Sequence, residues 1–534
     1  MGRNWDAVVV GGGHNGLTAA AYLARAGLSV TVLERRDIVG GAAVTEEIHP
    51  GFRTSTASYV VSLLRPEVVD DLALRRHGYD PIPLENTFAP MADGRSLLLT
   101  ADEAANDREV AQFSASDRAA MRRFDGLIDA AASVLRETML HEPVALHGGG
   151  SGDLLEAIRL GRGFRRLDAG QRHFMLQLFT TPVGALLDRW FESEIVKIKY
   201  AATATAGNFV SLCQPGSALN LLHLRIGEIG GVKGGWALAR GGMGAISDAL
   251  AAAARAHGAE IRTGAPVERI LVEHGRAAGV ALASGEVVRA RTVLAGADPK
   301  RTFLTLVGEE HLDADFAAGI AAYRMGSGTF RMNLALSGVP EFTARPGGGL
   351  GAHHRSFIRM IASLDSMEEC WWTARRGELP AEPVIDAVIP TALDDSLAPP
   401  GCHVLSLLCQ HYPYRLAGGR DWADLRNSAA ERVIDTVARY IPRIRDILVG
   451  WQAMSPADLE RIYGLTGGDV YHGRLDPDQL YSLRPHPDAA GYRTPVAALY
   501  LCGAGAHPGG GVSGAPGRNA ARRVLRDLGR RPGF

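Results

Sequence analysis

The sequence predicts an α/β protein whose parallel sheet is assembled from separated pieces of the chain around an inserted α+β domain. Short apolar runs, typical of buried parallel strands, occur near the beginning, middle and end of the chain. Two of these runs lead directly into a glycine-rich turn and then into a helical pattern. The long segments between the pieces mix helical and strand patterns, and they predict the inserted domain.

The first piece is the segment 6–47. Ala7–Val10 is a short apolar strand, and a helix with apolar residues at helical spacing follows a turn that matches G-x-G-x-x-G. Ser29–Leu33 is a second strand, and Glu34 ends it. A strand, this glycine pattern, a helix, a second strand and a terminal acid occur in this order in Rossmann-like nucleotide-binding units.

Each residue of the pattern has a separate physical role. Gly11 permits the tight turn, Gly13 lets the backbone approach a pyrophosphate, and Gly16 lets the helix pack closely on the sheet. The N-terminus of the helix supplies free N–H groups and a partial positive charge. Glu34 follows Gly16 by 18 residues, which suits hydrogen bonds to an adenosine ribose. A dinucleotide site is therefore predicted, and NAD and FAD both fit this segment.

Two later pieces look like parts of the same domain. Around residues 241–299 a helix to about His257 precedes short strands with turns at 274–275 and 284–285. Near the end, the strand Ala498–Cys502 leads into the glycine-rich turn 503–514 and a helix over 515–528. Such a turn can place bare N–H groups against a ligand, and the alternative is a merely tight turn.

The predicted dinucleotide-binding domain therefore comprises residues 1–100, 235–300 and 491–534. The predicted substrate-binding domain comprises residues 101–234, with helices over 117–140, 154–160 and 181–206, and residues 301–490. Its second part contains a half-buried strand at 329–337, further strands at 384–389 and 403–409, and a helix at 421–440. The glycines of 148–152 predict a flexible connection rather than a phosphate loop, because no strand precedes them.

Composition excludes several classes of function. The chain has 57 Lys+Arg against 58 Asp+Glu, which gives no overall bias towards nucleic acid. The five cysteines form no C-x-x-C pair, so thiol–disulphide exchange is not expected, and they indicate a reducing compartment. The first strand begins near residue 7, which leaves no room for a cleavable signal peptide. We expect a cytoplasmic protein, or a mitochondrial matrix protein in a eukaryote, and the oligomeric state stays open.

Several blocks carry a resemblance to a known family. GGGHNGLTAAAYLARAG, RGGMGAISDAL, YHGRLDPDQLYSLRP and LYLCGAGAHPGGGVSGAPGRNAA resemble the phytoene-desaturase-related flavoproteins, and the match extends over nearly the whole chain. The resemblance implies FAD, a p-hydroxybenzoate-hydroxylase-like fold and a hydrophobic substrate, and it places Val267 at the adenine and the turn 503–514 at the flavin. The predicted cofactor-binding residues are Gly11, Gly13, His14, Asn15, Gly16, Glu34, Arg35, Gly40, Gly41, Ala42, Val267, Gly503, Gly505, Gly510, Gly511 and Val512.

Catalytic candidates are few. His507 is the titratable side chain of the C-terminal turn, and it is predicted either to act on the flavin reaction or to hold the turn. Many amine oxidases and carotenoid desaturases carry an arginine after the glycine pair where this chain has Ala42, which argues against amine oxidation and simple phytoene desaturation. The adjacent pair His353-His354 indicates a turn rather than a metal site, and no metal is expected.

Three functions remain open from the sequence. The first is an FAD-dependent oxidoreductase that desaturates or dehydrogenates a hydrophobic, polyene or lipid-like substrate. The others are a flavin-binding regulatory or interaction protein with vestigial activity, and a flavin-dependent polyene isomerase. All three need the same cofactor site. Peripheral membrane contact also stays open, although no clear amphipathic segment favours it.

Overall fold

The computed structural model describes residues 4–84, 86–146, 150–223 and 225–534. Its strands, in chain order, are β1 (Trp5–Val10), β2 (Val30–Leu33), β3 (Thr45–His49), β4 (Phe52–Ser55), β5 (Pro81–Pro83), β6 (Asn86–Pro90), β7 (Ser96–Leu99), β8 (Glu228–Ile229), β9 (Val232–Lys233), β10 (Ala237–Ala239), β11 (Glu260–Arg262), β12 (Val267–Glu273), β13 (Arg276–Leu282), β14 (Val287–Ala295), β15 (Phe330–Leu336), β16 (Ser356–Met360), β17 (Val384–Val388), β18 (His403–Gln410), β19 (Leu448–Met454) and β20 (Leu499–Leu501). Its α-helices are α1 (His14–Arg25), α2 (Pro66–Asp71), α3 (Glu103–Ala111), α4 (Ala115–Arg136), α5 (Ser151–Arg166), α6 (Ala169–Thr180), α7 (Val183–Trp190), α8 (Glu194–Thr205), α9 (Asn220–His223), α10 (Gly244–Ala256), α11 (Ala314–Ala322), α12 (Leu364–Arg375), α13 (Trp422–Ala438), α14 (Ile444–Ile447), α15 (Pro456–Tyr463) and α16 (Ala515–Asp527).

The first sheet joins the three pieces of chain that the sequence singles out. Its order is β11-β2-β1-β14-β13-β12, and β20 pairs with β14. The pairs of β1 with β2 and β14, of β2 with β11, and of β14 with β20 are parallel, whereas β12, β13 and β14 pair antiparallel. Strand β1 lies inside the sheet with buried valines, as its continuous apolar run predicts.

Helix α1 packs against both α10 and α16 on the first sheet. Helices α1 and α16 approach each other closely, because a Cβ on Gly517 would lie 2.1 Å from the carbonyl oxygen of Asn15. Only a glycine at this position lets the two backbones come so near. The C-terminal helix is thereby held directly against the helix that follows the first glycine turn.

The second sheet has the order β19-β15-β18-β17-β16-β6-β7. Strands β6 and β7 come from residues 86–99, so this stretch belongs to the second sheet and not to the first, where the predicted domain boundary at residue 100 put it. Strand β15 is buried along its whole length rather than on one face. One face packs into the core with α13, and the other meets the carbonyls of residues 55–56 through Arg331.

Helices α3 to α9 form a helical region with its own aromatic core around Phe124. The single helix predicted over 181–206 is two helices, α7 and α8. The chain turns between them because the side chain of Asp117 accepts hydrogen bonds from the backbone N–H groups of Glu192 and Ser193, both at 2.8 Å. Of the predicted connection 148–152, Gly148 and Gly149 lie outside the described residues, and α5 begins at Ser151.

Candidate functional site

The first glycine turn is shaped by one very close contact. Gly11 has a φ of +97°, and a Cβ on Gly16 would lie 2.2 Å from the carbonyl oxygen of Gly11. Gly16 is therefore required for the turn itself. Gly13 is different, because a Cβ on this residue would have the Cα of Gly41 as its nearest neighbour, at 4.0 Å. Its side is open to the cavity, so a ligand can approach the backbone there.

Glu34 closes this turn from the end of β2. Its Oε2 accepts a hydrogen bond from the N–H of Gly12 at 2.8 Å, and its Oε1 accepts one from the N–H of Arg36 at 2.9 Å. The residue is 5% exposed and lines the cavity. A carboxylate has about four acceptor positions. Glu34 can therefore hold the turn and still accept hydrogen bonds from a ligand.

The glycine pair after β2 lies against the first turn. The N–H of Gly40 donates to the carbonyl of Gly12 at 2.8 Å, and Gly40 and Gly41 have φ values of +120° and +57°. Ala42 continues the same wall of the cavity. The structure thus brings the two predicted glycine segments into contact, as expected for two segments that share one ligand.

Basic residues surround this end of the cavity. Arg35 donates to the carbonyl of Ile462 at 2.5 Å, and burial lowers the pKa of its guanidinium from the ordinary value. Arg36 pairs with Glu46 at 2.6 Å. Arg301 also lines the cavity, although the sequence analysis did not select it. Val267, at the start of β12, lines it as well.

Several polar atoms at this end of the cavity are buried without a hydrogen-bond partner among the described residues. They include Nε2 of His14, Oδ1 of Asn15, Nη1 of Arg36 and Nε of Arg301. Unpaired buried polar atoms are rare in folded proteins because each one costs free energy. Together with the open side of Gly13, these atoms indicate that a polar ligand completes this part of the structure.

The C-terminal turn divides into a part that faces the cavity and a part that packs behind it. Gly511 and Val512 line the cavity. Gly503, Gly505 and Gly510 were predicted at the cofactor but are not among the lining residues. A Cβ on these three would lie 2.5 Å from Gly296 O, 2.5 Å from Pro299 Cδ and 2.3 Å from Tyr471 Cδ1, respectively. They are glycines because the turn packs tightly against neighbouring chain.

His507, the predicted catalytic residue, lies behind the cavity wall. It is buried, its Nε2–H donates to the carbonyl of Thr138 at 3.1 Å, and its ring meets the ring of Tyr481 edge-on at 5.1 Å. Burial lowers its pKa to about 4, so the ring is neutral near pH 7. These contacts hold the turn to the helical region, and they give the side chain no access to the cavity.

Buried histidines should make the protein sensitive to acid. Burial lowers the pKa values of His14, His223 and His507 to about 4 from about 6.5. The unfolded chain therefore binds protons between about pH 6.5 and pH 4 that the folded chain does not, so the free energy of unfolding should fall as the pH falls through this range, on the order of 3 kcal/mol per histidine. Urea unfolding at about pH 7 and about pH 4.5 measures the loss.

His507→Gln is the matched variant for this prediction. Glutamine keeps an N–H donor for the carbonyl of Thr138 but does not titrate, so the variant should lose less stability on acidification than the parent protein. An equal loss in the two proteins would show that His507 titrates normally when folded.

The second sheet supplies the opposite wall of the cavity, with charged residues that the sequence analysis missed. They are Arg331 on β15, Arg359 on β16 and Asp386 on β17. Arg331 is 1% exposed and donates to the carbonyl of Leu407 at 2.6 Å. Burial lowers its pKa to about 10. The sequence did contain a signal for these residues, namely one charged residue inside each apolar strand. Charged residues are rarely buried without a partner, so each of them could have been selected as a candidate site residue.

Apolar side chains line much of the same region. The ring of Phe357 lies 6.3 Å from that of Tyr59 and 5.4 Å from that of Trp236, and Leu63, Leu408 and Val470 also face the cavity. The cavity extends between the two sheets and contains about 1970 Å³ of space free of protein atoms, part of it open to solvent. It is thus polar and glycine-rich at the first sheet, and apolar with a few buried charges at the second.

The family model described as "Flavin containing amine oxidoreductase" matches residues 16–301, which begin at the last glycine of the first turn and include β2, β11, β12, β13 and β14 of the first sheet. This chain belongs to that family. Members of this family are flavin-containing oxidoreductases, and cyclohexylamine oxidase has the same fold. The predictions of an α/β flavoprotein and of an oxidoreductase are therefore confirmed.

This family member has curated relatives along its whole length. It is 43% identical to "Pyridine nucleotide-disulfide oxidoreductase domain-containing protein 2" of Rattus norvegicus, over 98% of this chain and 94% of the relative. It is 30% identical to hydroxyneurosporene desaturase of Cereibacter sphaeroides, over 98% and 97%. The resemblance to phytoene-desaturase-related flavoproteins is therefore confirmed.

The fold of this family member also occurs in solved structures. Cyclohexylamine oxidase from Brevibacterium oxydans superposes with a TM-score of 0.58, at 17% identity, over 99% of this chain and 100% of that chain. At this identity the likeness concerns the fold alone. Among the described residues, none of the helices combines the length and the apolar character that crossing a bilayer requires.

Proposed function

We propose that the protein is an FAD-dependent oxidoreductase that removes hydrogen from a largely apolar substrate. The observation that carries the proposal is one continuous cavity, which runs from Glu34 at the end of the first sheet to Arg359 and Asp386 on the second. A cavity with a ribose-binding acid at one end and an apolar chamber at the other suits an extended dinucleotide with its reactive ring beside a substrate.

The residues present fit FAD. In the proposed arrangement Glu34 accepts hydrogen bonds from the adenosine ribose, and the open backbone at Gly13 and the N-terminus of α1 hold the diphosphate. Gly41 and Gly511, both with positive φ, let the chain approach the ring system. FAD supplies the two-electron acceptor, while the protein orients the substrate and excludes water.

The names of two relatives support a lipophilic substrate. One relative is named as a hydroxyneurosporene desaturase, and another is named as one component of a limonene dehydrogenase. The aromatic and aliphatic wall around Phe357 gives this chain a suitable chamber. The charges of Arg359 and Asp386 at its end mark a difference from a uniformly apolar pocket.

The test begins with the purified protein. We expect a yellow protein that releases about one FAD per chain, and anaerobic reduction of the bound flavin by members of a panel of apolar compounds. A colourless protein that binds NADH, or a protein that releases FMN, would overturn the assignment of FAD as the cofactor. Conversion of a substrate without flavin reduction would indicate isomerisation instead. The flavin of the His507→Gln variant should be reduced at the same rate as the flavin of the parent protein, because this side chain does not reach the cavity.

Glu34→Ala should weaken flavin binding. The ribose would lose a charged hydrogen-bond partner, worth roughly 1.5–3 kcal/mol, and the N–H of Gly12 would lose its acceptor. The dissociation constant of FAD, measured by reconstituting the apoprotein, should rise by at least about tenfold. Glu47→Ala is the control, because Glu47 accepts a hydrogen bond from the exposed loop at Gly51 and does not line the cavity, so the constant should stay unchanged.

We also propose that helix α5 contacts an anionic membrane surface. Leu154, Leu155 and Ile158 are 63%, 66% and 42% exposed, although large apolar residues normally avoid water. Helical spacing puts Arg162 and Arg165 on the same face. Exposed apolar side chains flanked by arginines are the composition of interfacial helices that bind anionic lipid. The helix is an amphipathic segment that the sequence analysis did not identify.

Vesicle co-sedimentation measures this contact. The protein should sediment with vesicles that contain anionic lipid, and a Leu154→Asp, Leu155→Asp double variant should bind at least about tenfold more weakly. Val287→Asp, at a 48% exposed strand position, is the control and should bind normally. Equal binding to neutral vesicles, or self-association of the protein without vesicles, would contradict the proposal.

A further inference from the structure

A charged pair stands on two neighbouring strands of the second sheet. Arg359 on β16 and Asp386 on β17 are directly opposite each other in the antiparallel register. Their side chains are 8% and 1% exposed, and both line the cavity. Buried charges of this kind are costly unless their hydrogen bonds are complete.

Most hydrogen bonds of the pair are made within the protein. The terminal nitrogens of Arg359 donate to the carbonyl of Lys199 and to Oγ1 of Thr203. Nε2 of Gln410 donates to Oδ2 of Asp386 at 2.7 Å. The amide of Gln410 is oriented in turn by Thr205, whose hydroxyl donates to Oε1 at 2.6 Å. Gln410 is therefore a positioning residue that fixes the carboxylate.

Two atoms of the pair lie close to each other without forming a hydrogen bond. Nε of Arg359 and Oδ1 of Asp386 face each other at 3.8 Å, which is too long for a direct hydrogen bond. Neither atom has a hydrogen-bond partner in the part of the chain that the structure describes. Both atoms are shielded from solvent, so the two side chains have to separate slightly to admit a bridging oxygen, which about 2.8 Å from each atom would complete both hydrogen bonds.

The two atoms define what can bridge them. The bridging group has to accept a hydrogen bond from Nε–H and donate one to a carboxylate oxygen. A hydroxyl does both. An ether accepts but cannot donate, and a carboxylate would in addition meet the negative charge of Asp386. An ammonium group donates but cannot accept from Arg359.

The surroundings define the rest of the ligand. The guanidinium of Arg359 lies 5.3 Å from the ring of Phe357, which belongs to the aromatic wall with Tyr59 and Trp236. A ligand that reaches the charged pair therefore passes apolar side chains first. We propose that Arg359 and Asp386 recognise a hydroxyl group on an otherwise apolar substrate, so that the substrate class is an apolar alcohol. This inference rests on the proposed function and specifies its substrate.

Binding rather than turnover tests the proposal. Octanol, methyl octyl ether and octanoate share an apolar chain and differ in the terminal group, and their dissociation constants with the FAD-loaded protein can be measured by titration calorimetry. Octanol should bind at least about tenfold more tightly than the ether or the carboxylate, because only octanol satisfies both buried atoms. Equal binding of octanol and the ether, or tighter binding of octanoate, would overturn the proposal.

The matched variant removes both charges together. Arg359→Met combined with Asp386→Leu leaves no unpaired buried charge, and such replacements are usually tolerated. The double variant should keep its FAD content, lose the preference for octanol and bind the ether at least as well as the parent. A preserved preference for octanol would place the hydroxyl elsewhere and overturn the assignment. FAD content and flavin reduction are separate readouts, so failure of this inference is distinguishable from failure of the proposed function.

Discussion

Gly16→Ala should yield a protein that retains almost no flavin. The added Cβ would lie 2.2 Å from the carbonyl oxygen of Gly11 and 3.3 Å from Cγ1 of Val9. The first contact is with backbone at the end of a buried strand, so no side chain can swing away to relieve it. Either the turn opens or α1 lifts from the sheet, and both displace the N–H groups at the N-terminus of α1.

The expected size of this effect is large for a single methyl group. Overpacking of this kind costs about 3 kcal/mol of unfolding free energy. The ratio of flavin to protein after purification should fall at least about tenfold. Absorption spectra and urea unfolding measure the two quantities. A Gly16→Ala protein with a full complement of flavin would contradict the turn geometry described above.

Two further glycine variants separate the causes. Gly126→Ala, within α4, has no atom within 4 Å of the new Cβ, so it should retain flavin and gain about 0.5–1 kcal/mol. Gly13→Ala has its nearest contact at 4.0 Å, so the apoprotein should remain stable while flavin binding weakens. That pattern would show that Gly13 serves the ligand and Gly16 the fold.

Arg484→Met should lower both stability and flavin retention. Arg484 is 0% exposed, and its guanidinium donates to carbonyl groups on two separate stretches of chain. The acceptors are the carbonyls of Ala504, Tyr471, Gly473, Arg474 and Gln479, at 2.8–3.3 Å. Tyr471 and Ala504 also line the cavity, so this one side chain fastens the C-terminal turn to the wall of the site.

Methionine fills a similar space but donates no hydrogen bonds. Several buried carbonyls would be left unpaired, and we expect a loss of about 3–5 kcal/mol in urea unfolding together with a lower flavin content. Arg443→Met is the control, because Arg443 is 75% exposed and should change stability by less than about 0.5 kcal/mol. A small effect at Arg484 would mean that solvent or a rearranged turn satisfies the carbonyls.

The first glycine turn was readable from the sequence because its determinants are local. Gly11, Gly13, Gly16 and Glu34 lie within one strand–helix–strand unit, and each role follows from φ, from Cβ clearance or from distance along the chain. The strands and turns of residues 260–295 were readable for the same reason, since their alternation and their glycine turns are local signals.

The C-terminal turn was readable only in part. Its glycines indicated a close approach, but not what is approached. Gly511 faces the cavity, whereas Gly510 packs against Tyr471. His507 was selected because it titrates, yet its partner is the carbonyl of Thr138, 369 positions away in the chain. One sequence does not reveal which distant backbone group a buried side chain will meet.

The sequence by itself determined that the chain has a nucleotide-binding α/β domain built from separated pieces, because strand, turn and helix signals are local. Only the tertiary structure decided that residues 86–99 join the second sheet and that Arg359 and Asp386 face each other across it. Pairing between strands far apart in the chain depends on complementary packing over the whole fold, and it leaves no local pattern. The substrate end of the cavity is made by such pairings, which is why its charges emerged only when the strands were assembled.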